Sequence, residues 1–304
     1  GCQERGDAAV NQIQRVAVVG AGTMGRGIAQ VVAQAGLVVT LIDREPDIVR
    51  SALEHIRQQL ERAVERGRLD AEQASVALSL IAVDTGLEAV SDADLVIEAV
   101  PEVVDLKRDI FHRLDQYCAQ QALLASNTSS ISITLLGAAT GRPERVLGLH
   151  FFNPVPVMKL VEVVRGLRTA DETIEAAVQF AQRLGKTPVV VKDSPGFVSN
   201  RVLMPMINEA IDALMEGVAS AEEIDTVMRL GANHPMGPLE LADLIGLDVV
   251  LQILDVLHHD FGDPRYRPSP LLRQMVAAGK LGRKSGEEGG GRFYIVNGRP
   301  LRPG

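Results

Sequence analysis

The stretch IQRVAVVGAGTMGRGIAQVVAQAGLVVTLID, residues 13–43, decides the fold class of the chain that carries it. It opens with a β-branched run, which predicts a short strand. A glycine-rich turn follows, then a helix of small residues that ends at Gly36, and then a second strand that ends at Asp43. The order strand, turn, helix, strand predicts a βαβ unit with two parallel strands in one sheet.

The turn in this stretch has the pattern G-x-G-x-x-G, formed by Gly20, Gly22 and Gly25, with Thr23 and Met24 between the last two. Between a strand and a helix, this pattern is typical of a Rossmann-type dinucleotide-binding domain. Gly20 permits the tight turn, Gly22 lets a pyrophosphate approach the backbone, and Gly25 lets the helix pack on the strand. The alternative is a glycine-rich turn that binds no ligand.

The choice of dinucleotide depends on the end of the second strand. The glycines alone are compatible with NAD or FAD. Asp43 follows Gly25 by 18 residues, and an acidic residue there binds the ribose hydroxyls and repels a 2′-phosphate. Arg44 is the competing signal, because an adjacent arginine can accommodate the 2′-phosphate of NADP. We predict that the cofactor is NAD.

The chain after Asp43 continues the alternation of strands and helices. The further strands predicted are IAVDTG, ADLVIEAV, ALLASNTSS and RVLGLHFF, and the helices are DIVRSALEHIRQQLERAVERG and KRDIFHRLDQYC. This alternation predicts βαβ units and a parallel sheet. The pattern changes near KDSPGF, residues 192–197, after which apolar residues recur at helical spacing.

Four helices are predicted in the second part: VSNRVLMPMINEAIDALMEG, SAEEIDTVMRLG, PLELADLIGLDVVLQILDVLHHDFG and PLLRQMVAAGK. The fold class is therefore an α/β Rossmann-type domain followed by an all-α domain. We predict a disordered tail over residues 1–12, the Rossmann domain over 13–193 and the helical domain over 194–304. The apolar helices 195–217 and 238–257 exceed what a small domain buries, so we expect a homodimer.

Composition limits the classes of partner. The 304 residues are 46% hydrophobic and 23% charged, which excludes a disordered chain. A net charge of −8 disfavours nucleic acid as a partner. Two cysteines without a motif indicate a reducing compartment, and neither a long apolar run nor a signal peptide is evident, so we expect a cytoplasmic protein without a membrane span.

Two ionisable residues interrupt the apolar stretch VLGLHFFNPVPVMKLVEVV, residues 146–164. The stretch predicts two buried strands, with His150 in the first and Glu162 in the second, joined by the loop NPVPVM. One interpretation is a core histidine satisfied by a neighbour and a carboxylate at a strand edge. The other is a catalytic pair, in which the carboxylate orients the imidazole. The stretch alone leaves both open.

Five motifs stand together: GAGTMG (20–25), SNTSS (126–130), GLHFFNPVPVMKLVEV (148–163), DSPGFVSNR (193–201) and GANHPMGPLELADLIGLD (231–248). With them the chain resembles the L-3-hydroxyacyl-CoA dehydrogenase family over residues 13–286, in particular the bacterial 3-hydroxybutyryl-CoA dehydrogenases. The resemblance implies oxidation of a short-chain 3-hydroxyacyl-CoA with transfer of hydride to NAD. It also implies a dimer formed through the helical domain.

The resemblance assigns the catalytic set to His150, Glu162, Ser129 and Asn200. His150 matches the acid–base histidine and Glu162 its partner carboxylate. Ser129 is expected to hydrogen-bond the substrate oxygen, although a residue of this serine-rich run could instead cap a helix. Asn200, at the start of the helical domain, is expected to reach the substrate; its alternative is an ordinary polar residue on a helix.

The resemblance also assigns cofactor and substrate contacts. Besides the glycine loop and Asp43, the expected cofactor contacts are Glu102, Lys107, Ser129, Asn153 and Lys284. Substrate contacts are expected from Ser129, Asn200, Arg62 and Arg66. Arg62 and Arg66 cluster with Arg57 and Arg68, where the family binds the CoA phosphates, but interleaved glutamates also fit a solvated salt-bridged face.

Three alternatives to this function remain open from the sequence. A dicarboxylic 3-hydroxyacyl-CoA or a sugar acid could be the substrate, and a non-catalytic NAD-binding protein is a third possibility. The C-terminus departs from the family, because GEEGGG precedes Phe293 and Tyr294, which leaves the packing of the tail open. No histidine or cysteine spacing predicts a metal site, and hydride transfer to NAD needs none.

Overall fold

The computed structural model describes residues 13–285 and Phe293. The predicted tail over residues 1–12 lies outside them. The chain forms two compact units, Gly1–Ser194 and Pro195–Gly304.

The first unit is built on one sheet of eight strands in the order β3-β2-β1-β4-β5-β6-β7-β8. The strands are β1 Arg15–Val19, β2 Val38–Ile42, β3 Ile81–Asp84, β4 Leu95–Glu98, β5 Leu123–Ser126, β6 Val146–Phe151, β7 Leu160–Arg165 and β8 Thr187–Lys192. The order reverses between β1 and β4, which is the topological switch point at which Rossmann folds bind their ligands.

Six α-helices accompany the sheet in the part of this unit that the structure describes. They are α1 Thr23–Gln34, α2 Pro46–Glu65, α3 Ala71–Ser79, α4 Val104–Tyr117, α5 Ile133–Gly137 and α6 Asp171–Arg183. Local sequence sets their ends: Gly36, at φ 76°, follows α1, Pro46 opens α2, and a capping box of Asp70 and Gln73 begins α3. Helices α3 and α6 and strand β8 were not predicted.

The helices cover both faces of the sheet. Residues of α1, α2, α3 and α6 share one core with alternate strand residues such as Leu147 and Leu149. Gly148, between them, points to the other face, where an added Cβ would lie 3.0 Å from Ile133 of α5. The predicted Rossmann-type architecture is therefore confirmed.

The prediction of a parallel sheet is correct for six strands and wrong for two. Strand β7 is antiparallel to β6 and parallel to β8. The eight-residue connection 152–159 explains the reversal, because it is too short for the crossover that parallel neighbours require. The chain therefore returns from β6 as a hairpin, and residues on the two strands face each other directly.

The second unit is helical throughout the residues that are described. Its α-helices are α7 Ser199–Met215, α8 Ala221–Gly231, α9 Pro238–Ile245, α10 Leu247–Phe261 and α11 Pro270–Ala277. The prediction of one helix over PLELADLIGLDVVLQILDVLHHDFG was wrong, because Gly246 separates α9 from α10. Gly246 has φ 105°, a conformation that side-chain-bearing residues rarely adopt and that breaks the helix.

One residue of the C-terminal tail has a defined place in the second unit. Phe293 is fully buried in the core formed by α7, α9, α10 and α11. Its backbone N–H donates to both carboxylate oxygens of Asp243, at 3.2 and 3.0 Å. The aromatic residue that follows the GEEGGG insertion is thus anchored, although the insertion itself lies outside the described residues.

Candidate active site

The three glycines of the loop at the switch point differ in the space that surrounds them. Gly20 has φ 102°, and a Cβ there would lie 2.6 Å from the carbonyl oxygen of Ala99. A Cβ on Gly25 would lie 1.7 Å from the carbonyl oxygen of Gly20. A Cβ on Gly22 would meet nothing within 4 Å. Two glycines are therefore required by packing, whereas Gly22 faces open space.

The residues present fit a dinucleotide. Helix α1 begins at the glycine loop without a side-chain cap, so its first backbone N–H groups are not bound by a capping side chain. These groups and the positive end of the helix dipole bind phosphate in Rossmann folds. The open space at Gly22 provides room for that phosphate beside the backbone. The pyrophosphate of NAD would be held by the segment of Gly22, Thr23, Met24 and Gly25.

Asp43 is fixed against the glycine loop. Its Oδ2 accepts a hydrogen bond from the backbone N–H of Ala21 at 2.9 Å, and its Oδ1 accepts one from the N–H of Glu45 at 3.2 Å. The competing residue Arg44 extends into solvent, with 87% of its side chain exposed, and pairs with Glu45 at 3.5 Å. The geometry favours the ribose hydroxyls of NAD over the phosphate of NADP.

His150 and Glu162 are brought together by the hairpin of β6 and β7. They are direct partners in the antiparallel register, and both are buried. The Nδ1 of His150 and the Oε2 of Glu162 are 2.8 Å apart. Such a pair has its imidazole orientation and tautomer fixed, and the carboxylate stabilises the imidazolium form. The ring of Phe152 packs 4.6 Å from that of His150.

The loop that carries Ser129 is held by hydrogen bonds to its own side chains and to Glu102. Thr128 Oγ1 accepts hydrogen bonds from the N–H groups of Ser130, at 3.2 Å, and Ile131, at 2.8 Å. The cap of α5 is Ser132, whose Oγ accepts from Leu135 N–H at 3.2 Å. Ser129 is therefore not the residue that caps this helix, and its backbone N–H donates to Glu102 Oε1 at 3.1 Å.

Two residues near this loop were not identified from the sequence. Asn127 Oδ1 accepts from the backbone N–H of Phe151 at 2.9 Å, which joins the loop after β5 to the end of the strand that carries His150. Glu98, the last residue of β4, is fully buried and pairs with Lys107 at 2.6 Å. A carboxylate that ends the apolar run DLVIE was the available signal for Glu98.

The loop between β6 and β7 contains Asn153, a predicted cofactor contact. Asn153 is exposed and is joined to Pro154 by a cis peptide bond. The Nζ of Lys186 donates to the carbonyl oxygens of Val155, at 2.5 Å, and Met158, at 2.7 Å. Burial lowers the pKa of this lysine. Lys186 therefore holds the loop through its backbone carbonyls. Its position directly before β8 gave no sequence signal for that role.

The arginines at the end of α2 differ in their surroundings. Arg57 pairs with Glu54 at 3.7 Å. Within the described part of the chain, no ion pair is formed by Arg62 or Arg66, both of which are exposed. The interleaved glutamates thus do not neutralise these two charges. Burial, followed by the charges of Arg26 and Arg62, lowers the pKa of His55, so Arg62 adds to a positive region that reaches α1.

Asn200 and Lys284 lie in the second unit. Asn200 is buried in the first turn of α7. The ammonium of Lys284 pairs with Asp248 and lies beside Gly246, where an added Cβ would be 2.8 Å from Nζ. The catalytic and cofactor roles predicted for these two residues stay predictions.

Two further surveys concern the described residues only. Among them, no helix has the length and apolarity needed to cross a membrane. Residues 13–285 and Phe293 also contain no group of three or more histidine, cysteine or acidic side chains arranged to hold a metal ion.

Comparison with known families matches both units. The family described as 3-hydroxyacyl-CoA dehydrogenase, NAD binding domain, matches residues 15–194. The family described as 3-hydroxyacyl-CoA dehydrogenase, C-terminal domain, matches residues 196–290. The chain belongs to the 3-hydroxyacyl-CoA dehydrogenase family.

Individual relatives of this family member share about half of its residues. It is 52% identical over 275 residues to a probable 3-hydroxybutyryl-CoA dehydrogenase of Bacillus subtilis, covering 90% of this chain and 96% of the relative. It is 45% identical over 282 residues to mitochondrial hydroxyacyl-coenzyme A dehydrogenase of Homo sapiens, covering 90% of each. A crystal structure of (S)-3-hydroxybutyryl-CoA dehydrogenase from Ralstonia eutropha has a TM-score of 0.88 and 50% identity, covering 90% and 97%.

These matches confirm the family, the two-part fold and the cofactor class predicted from the sequence. The first unit is the NAD-binding domain of an oxidoreductase family, as the glycine loop and Asp43 indicated. The alternative of a non-catalytic protein loses support, because relatives that share about half of this chain's residues are named as dehydrogenases.

Proposed function

We propose that the chain interconverts short-chain L-3-hydroxyacyl-CoA and 3-ketoacyl-CoA, with 3-hydroxybutyryl-CoA as its substrate and NAD as its cofactor. The observation that carries the proposal is the buried pair of His150 and Glu162, 2.8 Å apart at the end of β6. Oxidation of a secondary alcohol needs a base for the hydroxyl proton, and an oriented neutral imidazole is suited to that task.

The proposed mechanism assigns one proton to one nitrogen. With Nδ1 bound to Glu162, Nε2 of His150 takes the proton of the substrate hydroxyl. NAD⁺, held by the glycine loop and Asp43, would supply the acceptor for the hydride of C3. The carboxylate of Glu162 stabilises the imidazolium that forms. In the reverse direction, the imidazolium of His150 returns the proton to the alkoxide oxygen. Ser129 and Asn200 are proposed to hydrogen-bond the substrate oxygen and the acyl group.

Coenzyme A is proposed to lie along the end of α2. Its phosphates are anionic, whereas the chain as a whole carries −8, so binding needs local cations. Arg62 and Arg66 are exposed, and among the described residues they form no ion pair with the neighbouring Glu61 and Glu65, which supports this assignment. A sugar-acid substrate would leave these two charges without a purpose.

We also propose that the chain is a cytoplasmic homodimer formed through its second unit. Large apolar side chains are exposed on α7 and α8, with Val202 at 67%, Val227 at 65% and Leu230 at 83%. Large apolar side chains exposed on two consecutive helices support an interface at this unit. Light scattering is expected to give twice the chain mass at micromolar concentration, and a monomer would contradict the dimer.

The activity is tested by following NADH absorbance with acetoacetyl-CoA, with NADPH in parallel. Rapid oxidation of NADH and slow oxidation of NADPH are expected, because Asp43 is held against the glycine loop and its charge would repel a ribose 2′-phosphate there. A preference for NADPH would overturn the role of Asp43 and favour Arg44. Activity with a 3-ketodicarboxylic acyl-CoA or a sugar acid, but not with acetoacetyl-CoA, would overturn the proposed substrate.

A further inference from the structure

Glu98 is a fully buried carboxylate that the proposed mechanism does not use. It ends β4 and lies beside the switch point. Its Oε1 accepts from Lys107 Nζ at 2.6 Å and from the backbone N–H of Val100 at 2.7 Å, and its Oε2 accepts from Ser126 Oγ at 2.6 Å. Burial raises the pKa of Glu98, and these partners oppose that shift. One side chain therefore joins the ends of two strands to α4.

Lys107 lies between Glu98 and a second carboxylate, that of Glu102. The lysine is 1% exposed, and its Nζ also donates to Val100 O at 3.0 Å and lies 3.4 Å from Glu102 Oε2. An ammonium group has three N–H donors, so these acceptors account for all of them. Removing the charge of Glu98 would leave Lys107 to be balanced by Glu102 alone.

Glu102 in turn holds the loop that carries Ser129. Its Oε1 accepts from the backbone N–H groups of Ser129, at 3.1 Å, and Ser130, at 3.2 Å, and from the hydroxyls of Ser130 and Thr128. Burial acts to raise the pKa of Glu102, but Lys107 and the loop donors outweigh it and lower the pKa. The loop conformation thus depends on a carboxylate whose other oxygen faces Lys107.

Glu98 also fixes the backbone turn against which the glycine loop packs. The turn of Ala99 and Val100, which Glu98 fixes through the Val100 N–H, is the surface on which Gly20 packs. A Cβ on Gly20 would lie 2.6 Å from Ala99 O and 2.9 Å from Val100 N, so the two backbones are in close contact. A shift of this turn would displace the glycine loop with it.

We propose that Glu98 is a positioning residue for cofactor binding. Through Val100 it sets the turn beneath the glycine loop, and through Lys107 and Glu102 it sets the loop of Ser129. A single buried charge thereby aligns the two loops that flank the switch point. The inference rests on the proposed function only for its effect on turnover, because its effect on NADH binding is independent of the substrate.

The same helix supplies a matched control. Near the other end of α4, Asp115 Oδ1 accepts from Nε of Arg142 at 2.6 Å, and Arg142 is 3% exposed. This pair is also buried at the arginine, but it contacts neither the glycine loop nor the loop of Ser129 among the hydrogen bonds of the described residues. Neutralising Asp115 therefore tests the loss of an ion pair to a buried cation, on the same helix but away from both loops.

The experiment compares the full-length variants Glu98→Gln and Asp115→Asn. Both are expected to lower Tm. The NADH dissociation constant, measured by NADH fluorescence, is expected to rise about tenfold or more in Glu98→Gln and less than about twofold in Asp115→Asn. Turnover of acetoacetyl-CoA at saturating NADH is expected to fall only in Glu98→Gln. Equal NADH affinities in the two variants would overturn the proposal and leave Glu98 a structural residue.

Two outcomes need a second variant or readout. Should Glu98→Gln fail to fold, Ser126→Ala keeps both charges and removes the hydrogen bond to Glu98 together with the one that Ser126 accepts from the Thr128 N–H. Weaker NADH binding is expected, and unchanged binding overturns the proposal. Should the wild-type protein fail to reduce acetoacetyl-CoA, the proposed function fails, but the NADH dissociation constants still decide the role of Glu98.

Discussion

Replacing Glu162 with glutamine tests the pairing of the two ionisable residues in the hairpin. The substitution keeps the size of the side chain and removes its charge. Because Glu162 and His150 are both buried, solvent cannot substitute for that charge. We expect the variant to fold and to bind the acyl-CoA substrate, since the change alters neither the strand register nor the cofactor loop.

The size of the effect follows from the geometry. Nδ1 and Oε2 are 2.8 Å apart, so the charge centres of the imidazolium and the carboxylate lie roughly 4 Å apart. At that separation, unit charges attract by about 4 kcal/mol at an effective dielectric constant of about 20. The imidazolium forms during the reaction, and about 1.4 kcal/mol corresponds to tenfold in rate, so kcat is expected to fall about a thousandfold.

The assay is the formation of NADH from 3-hydroxybutyryl-CoA and NAD⁺ at saturating concentrations. The KM for 3-hydroxybutyryl-CoA is expected to stay within about threefold, because an interaction that arises only in the transition state lowers kcat alone. Asp171→Asn is the matched control. Asp171 binds Arg165 at 2.7 Å, but it is 82% exposed, so its loss is expected to change kcat by less than about twofold.

The outcome that refutes the reasoning is a Glu162→Gln variant whose kcat stays within about fivefold of the wild type. The carboxylate would then be a buried polar residue satisfied by a core histidine, which is the alternative that the sequence left open. A loss confined to KM would also refute it, because it would assign Glu162 to ground-state binding.

Three further predictions concern the glycine loop, the arginines of α2 and the buried cysteine. Gly25→Ala is expected to destabilise the fold, since its Cβ would lie 1.7 Å from a backbone oxygen. Gly22→Ala is expected to keep the Tm of the wild type and to bind NADH at least about tenfold more weakly. Unchanged NADH binding by Gly22→Ala would count against the proposed phosphate position. Arg62→Ala combined with Arg66→Ala is expected to raise the KM of acetoacetyl-CoA about fivefold at low salt but not that of acetoacetyl-pantetheine, and equal effects on both would contradict CoA binding there. Burial raises the pKa of Cys118 to about 11, so at about pH 8 roughly one thiol in a thousand is ionised. In a variant whose other cysteine is replaced by serine, a thiol reagent is expected to react with Cys118 only after unfolding. Rapid labelling of the native protein would contradict this.

The features predictable from the sequence were those encoded locally. The glycine loop and Asp43 lie within one βαβ unit, so their spacing alone indicated the dinucleotide site. His150 and Glu162 lie on neighbouring strands with a short connection, so a hairpin was expected to bring them together. Their register, which places them directly opposite, depends on the side-chain packing of both strands and is known only from the structure.

The features that were missed depend on contacts between distant segments. Helical periodicity runs through Gly246, and only its backbone conformation separates α9 from α10. Lys107 was predicted as a cofactor contact, but its burial against Glu98 arises from the packing of α4 and had no sequence signal. Asn127 acts on the end of β6 by a hydrogen bond that spans 24 residues. No periodic pattern carries such pairings, because they arise from the order of strands in the sheet.

The central claim is that His150 is the acid–base group of an NAD-dependent 3-hydroxyacyl-CoA dehydrogenase. The most direct measurement is the rate of acetoacetyl-CoA reduction by NADH in the wild type and in His150→Gln, together with the NADH dissociation constant of each. The account predicts rapid turnover by the wild type, and a variant that binds NADH within about twofold but turns over at least about a thousandfold more slowly. Turnover by His150→Gln within about tenfold of the wild type would contradict it.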